Sequence, residues 1–328
     1  MTGHRARLVD ALRAVTVTPA SYAWFGRRSR PLPPDLVADV GPYSARASLV
    51  EALQHELYRS FYTQGRAVPE TPDRAAPVRP DRDFAAALSA ANAGAGGWQP
   101  GWRVQTWEAE TAIVALDGIA VRARVADCRT GGRAPAPGAP VSVRRPKELD
   151  AAAPGFYIAL GDRQPGTGQE VRVYFHVTAA GAVPLVAACT SVLNAAAIPF
   201  VLKVVDRPGG FTRCDAAVLY LQAGGFGGAR ASLASVAGAC APHLRPGVPA
   251  FTKALAAGIA VAEHQPELGA SFGTSRCLIV AEALVRAREQ GAAGPGERLE
   301  AVARGFADHG LDVDRPYLAA GSATRYAL

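Results

Sequence analysis

The stretch FVLKVVDRPGGFTRCDAAVLYL, residues 200–221, contains two apolar runs separated by a Gly-Gly turn. Both runs are typical of β-strands. Upstream, VRVYFHV (residues 171–177) is a further strand-like run, and a helical pattern extends from about Pro184 to Ala197. Pro184 suits the first helical position, where a backbone N–H is not needed. Strand, helix and strand in this order predict a β-α-β unit whose two strands lie near one another in one sheet.

Strand-like patterns continue upstream of this unit, beginning near Trp102. Two of them are joined by Asp117-Gly118, a dipeptide typical of tight β-hairpins. Four helical patterns cover residues 48–62, 84–92, 274–288 and 298–306. The first pattern begins with Ser48 and Glu51 at capping-box spacing, which predicts that the helix starts there.

The chain has 328 residues, enough for one large domain or two small ones. Residues 64–83 are rich in Pro and Arg, a composition typical of a linker. We therefore predict an α+β fold in two parts. Residues 1–83 form an N-terminal helical region with a Pro-rich linker, and residues 84–328 form a mixed-sheet core.

Basic residues outnumber acidic ones, which gives a net charge of +7 at pH 7. Only Lys147, Lys203 and Lys253 are lysines, and the other basic residues are arginines. A basic surface attracts phosphate groups, nucleic acids or acidic peptides. Part of the excess matches the Ala- and Arg-rich composition that a GC-rich genome produces. We expect neither a nucleic-acid partner nor a membrane partner.

Five scattered cysteines form no CxxC pair, which predicts reduced, mostly buried thiols in a cytoplasmic protein. The N-terminus lacks the apolar segment of a signal peptide. Residues 182–202 carry no charge and are long enough to span a bilayer. Because prolines and polar residues interrupt them, we interpret them as a helix followed by a strand.

Strand alternation divides VRVYFHV into two faces. Arg172, Tyr174 and His176 point to one face, and apolar residues point to the other. If FVLKVVD is a parallel neighbour of this strand, Lys203 shares the polar face with His176. One interpretation is an ordinary solvated sheet face, with Lys203 extending to water at a strand edge. The other is a site that needs a lysine, because lysine releases a proton when desolvated and arginine does not.

The segment SFGTSRC (residues 271–277) leads into a helix and combines hydroxyls, backbone N–H groups and Arg276. This combination fits an anion site at a helix N-terminus, while an ordinary N-cap explains Ser271 and Thr274 equally well. Arg172, Arg213 and Arg276 together suit a phosphoryl group. The sequence contains no P-loop, nucleophile elbow, zinc-protease motif or kinase motif set.

Several stretches of the sequence resemble the type III effector family A of the Hop type and its actinobacterial biosynthetic relatives. The matching phrases include LSAANAGAGGWQPGWRV (88–104), VRVYFHV, PFVLKVVDRPGGFTRCDAAVLYL, VPAFTKALAAGIAVAEHQP (248–266) and SFGTSRCLIVAEAL (271–284), and they span residues 84–290. The resemblance extends distantly to phosphothreonine lyases. It implies a lyase-like fold and β-elimination of phosphate from a ribosomally made precursor peptide. In lanthipeptide and thioamitide clusters a kinase-like phosphotransferase phosphorylates such peptides, and elimination leaves dehydroalanine or dehydrobutyrine.

The resemblance also implies roles for individual residues, with no metal and no cofactor. His176 matches the histidine of the lyase KxH strand, Lys203 matches a later lysine, and Arg213 and Arg276 resemble phosphate-binding arginines. Tyr174 occupies the position of the KxH lysine.

The chemistry of elimination suggests further roles for these side chains. Lys203 is the candidate base, and His176 is the candidate acid for the leaving oxygen. Tyr174 is an alternative base if its phenol is acidified, or it orients the substrate. Arg172 and Lys253 are candidate phosphate ligands, and Lys253 alternatively polarises the adjacent peptide carbonyl. Tyr220 is either a pocket wall or a core residue.

Three functions follow as hypotheses. The leading one is a phosphoserine/phosphothreonine lyase acting on a precursor peptide, in a complex with the kinase-like partner. The second is a non-catalytic subunit of that complex that binds phosphopeptide or leader, since the KxH lysine is missing. The third is an effector translocated into a host cell, which the composition does not favour.

Overall fold

The computed structural model describes residues 3–31, 34–70, 81–292 and 294–328, and half of the predicted linker, residues 71–80, lies outside these ranges. The described residues form seven α-helices: α1 (Gly3–Ala14), α2 (Pro34–Leu57), α3 (Arg82–Ala91), α4 (Ala179–Ala195), α5 (Phe226–Cys240), α6 (Phe272–Glu289) and α7 (Pro295–Asp308). A π-helical turn, Tyr58–Tyr62, follows α2 directly. Helices combine with antiparallel sheets, so the predicted α+β class is confirmed.

The described strands belong to three sheets. The first contains β1 (Val15–Val17), β2 (Tyr22–Trp24) and β3 (Arg27–Arg28). The second, in spatial order β6-β5-β4-β8-β7, contains β4 (Gly97–Trp107), β5 (Thr111–Leu116), β6 (Ile119–Arg124), β7 (Cys128–Arg129) and β8 (Pro140–Arg145). The third contains β9 (Glu148–Ala153), β10 (Phe156–Leu160), β11 (Glu170–Phe175), β12 (Val201–Val205), β13 (Ala217–Gln222), β14 (Lys253–Ala256) and β15 (Ile259–Glu263).

The seven-stranded sheet has the order β14-β15-β11-β13-β12-β10-β9, and its neighbouring strands are all antiparallel. The two strands of the predicted β-α-β unit, β11 and β12, therefore run parallel to each other but are not paired. Strand β13 lies between them and pairs with both. The prediction that they are near neighbours is confirmed. The predicted mixed sheet is corrected to an antiparallel one, because the turn after β12 returns the chain as β13 into the gap between the two parallel strands.

Helices cover both faces of this sheet. Helices α4 and α5 pack on the face to which Val171, Val173 and Phe175 point. The opposite face, which carries Tyr174, is covered by α1, α2, α6 and α7 through one shared hydrophobic cluster. Tyr174 is 3% exposed, so the predicted polar face is a buried interface rather than a solvated surface. The domain boundary at residue 84 stays a prediction.

Two predicted helix starts are wrong. Helix α2 begins at Pro34, so Ser48 lies within it rather than at its N-terminus. Helix α4 begins at Ala179, where the Thr178 side chain accepts a hydrogen bond from Gly181 N, so Pro184 lies inside the helix. In both cases a local start signal was outweighed by earlier residues that continue the helix, because capping preferences contribute only about 1 kcal/mol.

The predicted hairpin turn and the free, mostly buried cysteines agree with the structure. Asp117 and Gly118 join β5 and β6 with φ values of 49° and 80°, the left-handed conformation of a tight hairpin turn. All five cysteines are free and four are buried. Residues 182–202 form most of α4, a connection and the start of β12. Within the described ranges, no helix has both the length and the apolar character needed for a bilayer span.

Candidate functional site

A cavity of about 90 Å³ lies between the seven-stranded sheet and the helices that cover its Tyr174 face. We call it the lysine cavity. Its lining residues come from the sheet, the π-helical turn, the segment before β13 and the start of α6: Tyr58, Tyr62, Phe156, Arg172, Tyr174, Lys203, Arg213, Asp215, Val218, Tyr220, Ser271 and Gly273. Six of the nine residues predicted from the sequence are among them.

Strand register explains why these side chains meet. Val218 of β13 pairs with Tyr174 on one side and with Lys203 on the other. Two residues further along β13, Tyr220 pairs with Arg172 of β11. Residues directly opposite one another in paired strands point to the same face. Arg172, Tyr174 and Lys203 therefore share one face although they come from strands that do not touch.

Lys203 is partly buried, and its Nζ lies 3.9 Å from the ring centroid of Phe156. Among the described residues this ammonium makes no hydrogen bond and no ion pair. Burial lowers the pKa of Lys203, as do the charges of Arg213 and Arg172, whereas the Asp215 carboxylate opposes the shift. An amine in this environment releases its proton more readily than a solvated lysine.

Arg213 is held by a carboxylate and a phenol. Its Nε and Nη2 donate to the two carboxylate oxygens of Asp215 at 2.5 and 2.7 Å, and Nη2 also donates to the Tyr58 hydroxyl at 3.0 Å. Nη1 has no hydrogen-bond partner in the described part of the chain. The guanidinium is therefore fixed in orientation while one nitrogen remains available to an anion.

Arg172 supplies the second guanidinium. Its Nε donates to the Glu170 carboxylate at 2.8 Å, and its guanidinium carbon lies 5.2 Å from the ring centroid of Tyr220. Tyr220 thus lines the cavity and supports the arginine, and it also packs against the hydrophobic cluster on this face of the sheet, so both interpretations left open by the sequence describe part of its position.

The phenol of Tyr174 is less acidic than that of a solvated tyrosine. Burial raises the pKa of Tyr174, and the Arg172 charge and the Tyr62 hydroxyl offset this shift only in part. The phenol is therefore protonated over the physiological range. The condition for Tyr174 to act as the base is not met, and its hydroxyl is available as a hydrogen-bond donor.

Three predicted residues lie outside the lysine cavity. His176 follows the end of β11, and its Nδ1 faces the carbonyl oxygens of Pro246 and Gly247 at 3.1 and 3.3 Å. It lines a different cavity, and burial lowers its pKa. The prediction that His176 shares a site with Lys203 is corrected, because the regular strand ends at Phe175.

Arg276 and Lys253 are engaged in structural contacts. Arg276 is fully buried and donates to the carbonyl oxygens of Pro316 and Leu318 at 3.0 and 3.2 Å, which corrects its predicted position on the phosphate site. Burial lowers the pKa of Arg276 to about 10. Lys253 Nζ donates to the carbonyl of Tyr326 at 2.7 Å. Both side chains hold the C-terminal segment against the core.

The N-cap interpretation of Ser271 is confirmed, and its role in an anion site stays a prediction. Ser271 is the N-cap of α6, where its Oγ accepts from Thr274 N at 3.4 Å, and it also lines the lysine cavity.

Sequence reasoning missed the aromatic part of the cavity. Tyr58 and Tyr62 come from the π-helical turn, with ring centroids 5.1 Å apart, and Phe156 comes from β10. The spacing of four residues between two tyrosines at the end of an apolar helix is a usable signal, since it places both rings on one side. Phe156 has no comparable local signal.

A larger groove of about 380 Å³ adjoins the lysine cavity. Lys203 and Tyr220 line both spaces. The other walls of the groove include Ile158, Val201 and the Gly166–Gly168 loop. Lys203 therefore lies where a small cationic cavity meets a wider, mainly apolar groove.

Gly273 makes the cavity wall possible. A Cβ atom at this position would lie 2.2–2.7 Å from three ring atoms of Tyr62. We expect Gly273→Ala to lower the free energy of unfolding by about 1–3 kcal/mol, the usual range for overpacking. Urea denaturation measures this change.

Gly228→Ala on α5 is the matched control, because nothing lies within 4 Å of a Cβ there. Alanine in an open helical position is neutral or stabilising, by up to about 1 kcal/mol. Equal stability of the two variants would contradict the described contact between Gly273 and Tyr62.

The chain is thus an α+β protein with a cationic cavity on a helix-covered sheet. The model of the HopA1 effector protein family matches residues 148–318, more than half of the chain, and these residues include the whole β9–β15 sheet. The chain belongs to the HopA1 effector protein family, as its motifs predicted. A search of curated proteins gives no match.

Two solved structures are similar to the chain. One is the effector protein from Pseudomonas syringae pv. tomato strain DC3000, with 16% identity and a TM-score of 0.47, covering 84% of this chain and 96% of that one. The other is the effector protein from Pseudomonas syringae pv. syringae strain 61, with 16% identity and a TM-score of 0.46, covering 85% and 96%. Family membership rests on the matched residues 148–318.

Proposed function

We propose that this protein is a phosphoserine/phosphothreonine lyase that removes phosphate from a phosphorylated peptide by β-elimination. One observation carries the proposal: an ammonium without a hydrogen-bond partner among the described residues, Lys203, shares a cavity with Arg172 and Arg213. Elimination needs a base for the α-proton and cations for the departing phosphate. The lysine cavity offers both within one small space.

The step uses side chains alone. Neutral Lys203 Nζ removes the proton from Cα of the phosphorylated residue. The C–H electron pair forms the Cα–Cβ double bond, the Cβ–O bond breaks, and its electrons leave with the phosphate. Arg172 and Nη1 of Arg213 stabilise the phosphate charge, and the Tyr174 hydroxyl donates a hydrogen bond to it. The ammonium of Lys203 then returns its proton to water.

The groove beside Lys203 suits residues that flank the phosphorylated one. Its glycine loop, Gly166–Gly168, leaves backbone groups accessible, and Ile158 and Val201 supply apolar contacts. A peptide can thus lie in the groove and insert one side chain toward the arginines. The resemblance to biosynthetic relatives suggests a ribosomally made precursor peptide, phosphorylated by a kinase-like partner that associates with this protein.

Mass spectrometry of a phosphoserine peptide incubated with the purified protein tests the proposal. Loss of phosphoric acid together with a product that adds thiols is the expected result. The test is repeated with the kinase-like phosphotransferase present, so that a requirement for the partner is detected. An unchanged phosphopeptide in both mixtures would overturn the proposal.

The second candidate function is a phosphopeptide-binding subunit without activity of its own. The observation that favours it is the position of His176 in a separate cavity, together with tyrosine at the KxH lysine position. Binding of phosphopeptide without loss of phosphate in either mixture would support this second function.

The rate of elimination is expected to depend on pH through Lys203. Only the neutral amine accepts the α-proton, so the rate rises as pH increases through the pKa of Lys203. Because that pKa is lowered, the midpoint of the rise lies below the ordinary lysine value of 10.5. Initial rates at peptide concentrations well below saturation, which report groups of the free protein, measure it from about pH 7 upward, since phosphate is already dianionic there.

Phosphopeptide affinity over the same pH range is the control. The arginines keep their charge throughout, so affinity falls only by the contribution of the Lys203 charge, a few-fold, while the rate rises. A rate that falls over this range would contradict the assignment of Lys203 as the base.

A further inference from the structure

A second cavity, of about 790 Å³, lies beside the lysine cavity and contains His176. We call it the arginine cavity because Arg7 of α1, Arg66 and Arg245 line it. Its described lining includes no aspartate or glutamate. Three arginines thus line one space whose described lining offers no carboxylate to neutralise them.

The arginines have little else to bind. Within the described ranges Arg7 and Arg66 make no hydrogen bond and no ion pair through their side chains. Arg245 donates from Nη1 to the Phe211 carbonyl at 3.2 Å and is otherwise exposed. Like charges gathered in this way repel each other, and an anionic ligand removes the repulsion.

The other walls indicate the kind of anion. No phenylalanine, tyrosine or tryptophan lines the arginine cavity, so a nucleobase finds no aromatic surface on which to stack. Small residues such as Gly247, Ala254 and Ala257 allow a backbone to approach closely. The volume is in the range that holds a multi-atom ligand rather than a single phosphate. A peptide that carries carboxylates fits the arginine cavity: it needs no aromatic surface, its backbone can lie against the small residues, and its size suits the volume.

One segment separates the two cavities. Along residues 212–215, Thr212 and Cys214 line the arginine cavity, whereas Arg213 and Asp215 line the lysine cavity. Segment 212–215 is anchored to the end of the π-helical turn, because Cys214 N donates to the Thr63 carbonyl at 2.7 Å. Because neighbouring residues of this one segment line different cavities, the two cavities are close enough for one peptide to pass over the segment and reach both.

We propose that the arginine cavity binds an acidic segment of the peptide whose phosphorylated residue occupies the lysine cavity. The peptide substrate rests on the proposed function, whereas binding of an acidic segment can be measured without any elimination. Carboxylates pair with the three arginines, and the acidic segment selects which phosphopeptides are held near Lys203.

Fluorescence anisotropy with a labelled, unphosphorylated peptide of alternating Glu and Gly residues tests the site. The triple variant Arg7→Gln/Arg66→Gln/Arg245→Gln is expected to bind this probe at least about tenfold more weakly, a change of about 1.4 kcal/mol. The control variant Arg122→Gln/Arg133→Gln/Arg230→Gln removes the same charge from exposed positions outside the cavity and is expected to bind within about twofold of the unmodified protein.

Equal binding by the two triple variants would overturn the proposal, because the probe would then sense only net charge. Thermal melts confirm that both variants fold. The Lys203→Arg variant separates this inference from the proposed function, since it is expected to bind the acidic probe like the unmodified protein. If no elimination occurs but the arginine variant alone loses the probe, the site stands and the lyase proposal fails.

Discussion

Lys203→Arg is expected to lower the rate of phosphate elimination by about 10³-fold, within the usual range for loss of a general base. Arginine keeps the positive charge but does not release a proton at physiological pH. Phosphopeptide affinity is therefore expected to change only a few-fold. Single-turnover rates and equilibrium binding, measured on the same peptide, separate the two effects.

Lys147→Arg is the matched control. Lys147 Nζ donates to the carbonyls of Ser89 and Asn92 at 2.9 and 3.0 Å, contacts that tie α3 to the sheet. Arginine can make similar hydrogen bonds, so this variant is expected to keep its elimination rate. Full activity of Lys203→Arg would exclude Lys203 as the base.

Arg213→Met is expected to destabilise the protein and to weaken phosphopeptide binding. It leaves Asp215, 5% exposed, without its bidentate cation. Breaking a buried pair in this way costs about 3–5 kcal/mol, and the partial exposure of Arg213 favours the lower end. Denaturant unfolding measures the change.

The double variant Arg213→Met/Asp215→Leu distinguishes structure from function. Removing both charges is expected to restore most of the lost stability, because no buried carboxylate remains unpaired. Phosphopeptide affinity stays low, since the guanidinium is still absent. Recovery of affinity along with stability would show that Arg213 acts only as a partner of Asp215.

The parts of the site that the sequence predicted correctly depend on local periodicity. Alternation along β11 assigned Arg172 and Tyr174 to one face, and the same rule placed Lys203 on its strand. The rarity of lysine in the chain then singled out Lys203. These inferences needed no knowledge of which strands pair.

The errors in the predicted site come from contacts between residues far apart in the sequence. The insertion of β13 between β11 and β12 is a choice of partner that neither strand encodes by itself. Arg276 is turned away from the cavity by carbonyls forty and forty-two residues later in the chain. Tyr58 and Tyr62 join the site because an N-terminal helix packs over the sheet. Such contacts arise from tertiary packing, which overrides local preference.

The measurement that tests the lyase proposal most directly is product analysis in oxygen-18-labelled water. Elimination breaks the Cβ–O bond, so the phosphate released from a phosphoserine peptide is expected to carry no label, and the peptide is expected to contain a thiol-reactive dehydroalanine. Lys203→Arg should release neither product at a comparable rate. Labelled phosphate together with an intact serine would identify hydrolysis at phosphorus and would contradict the account.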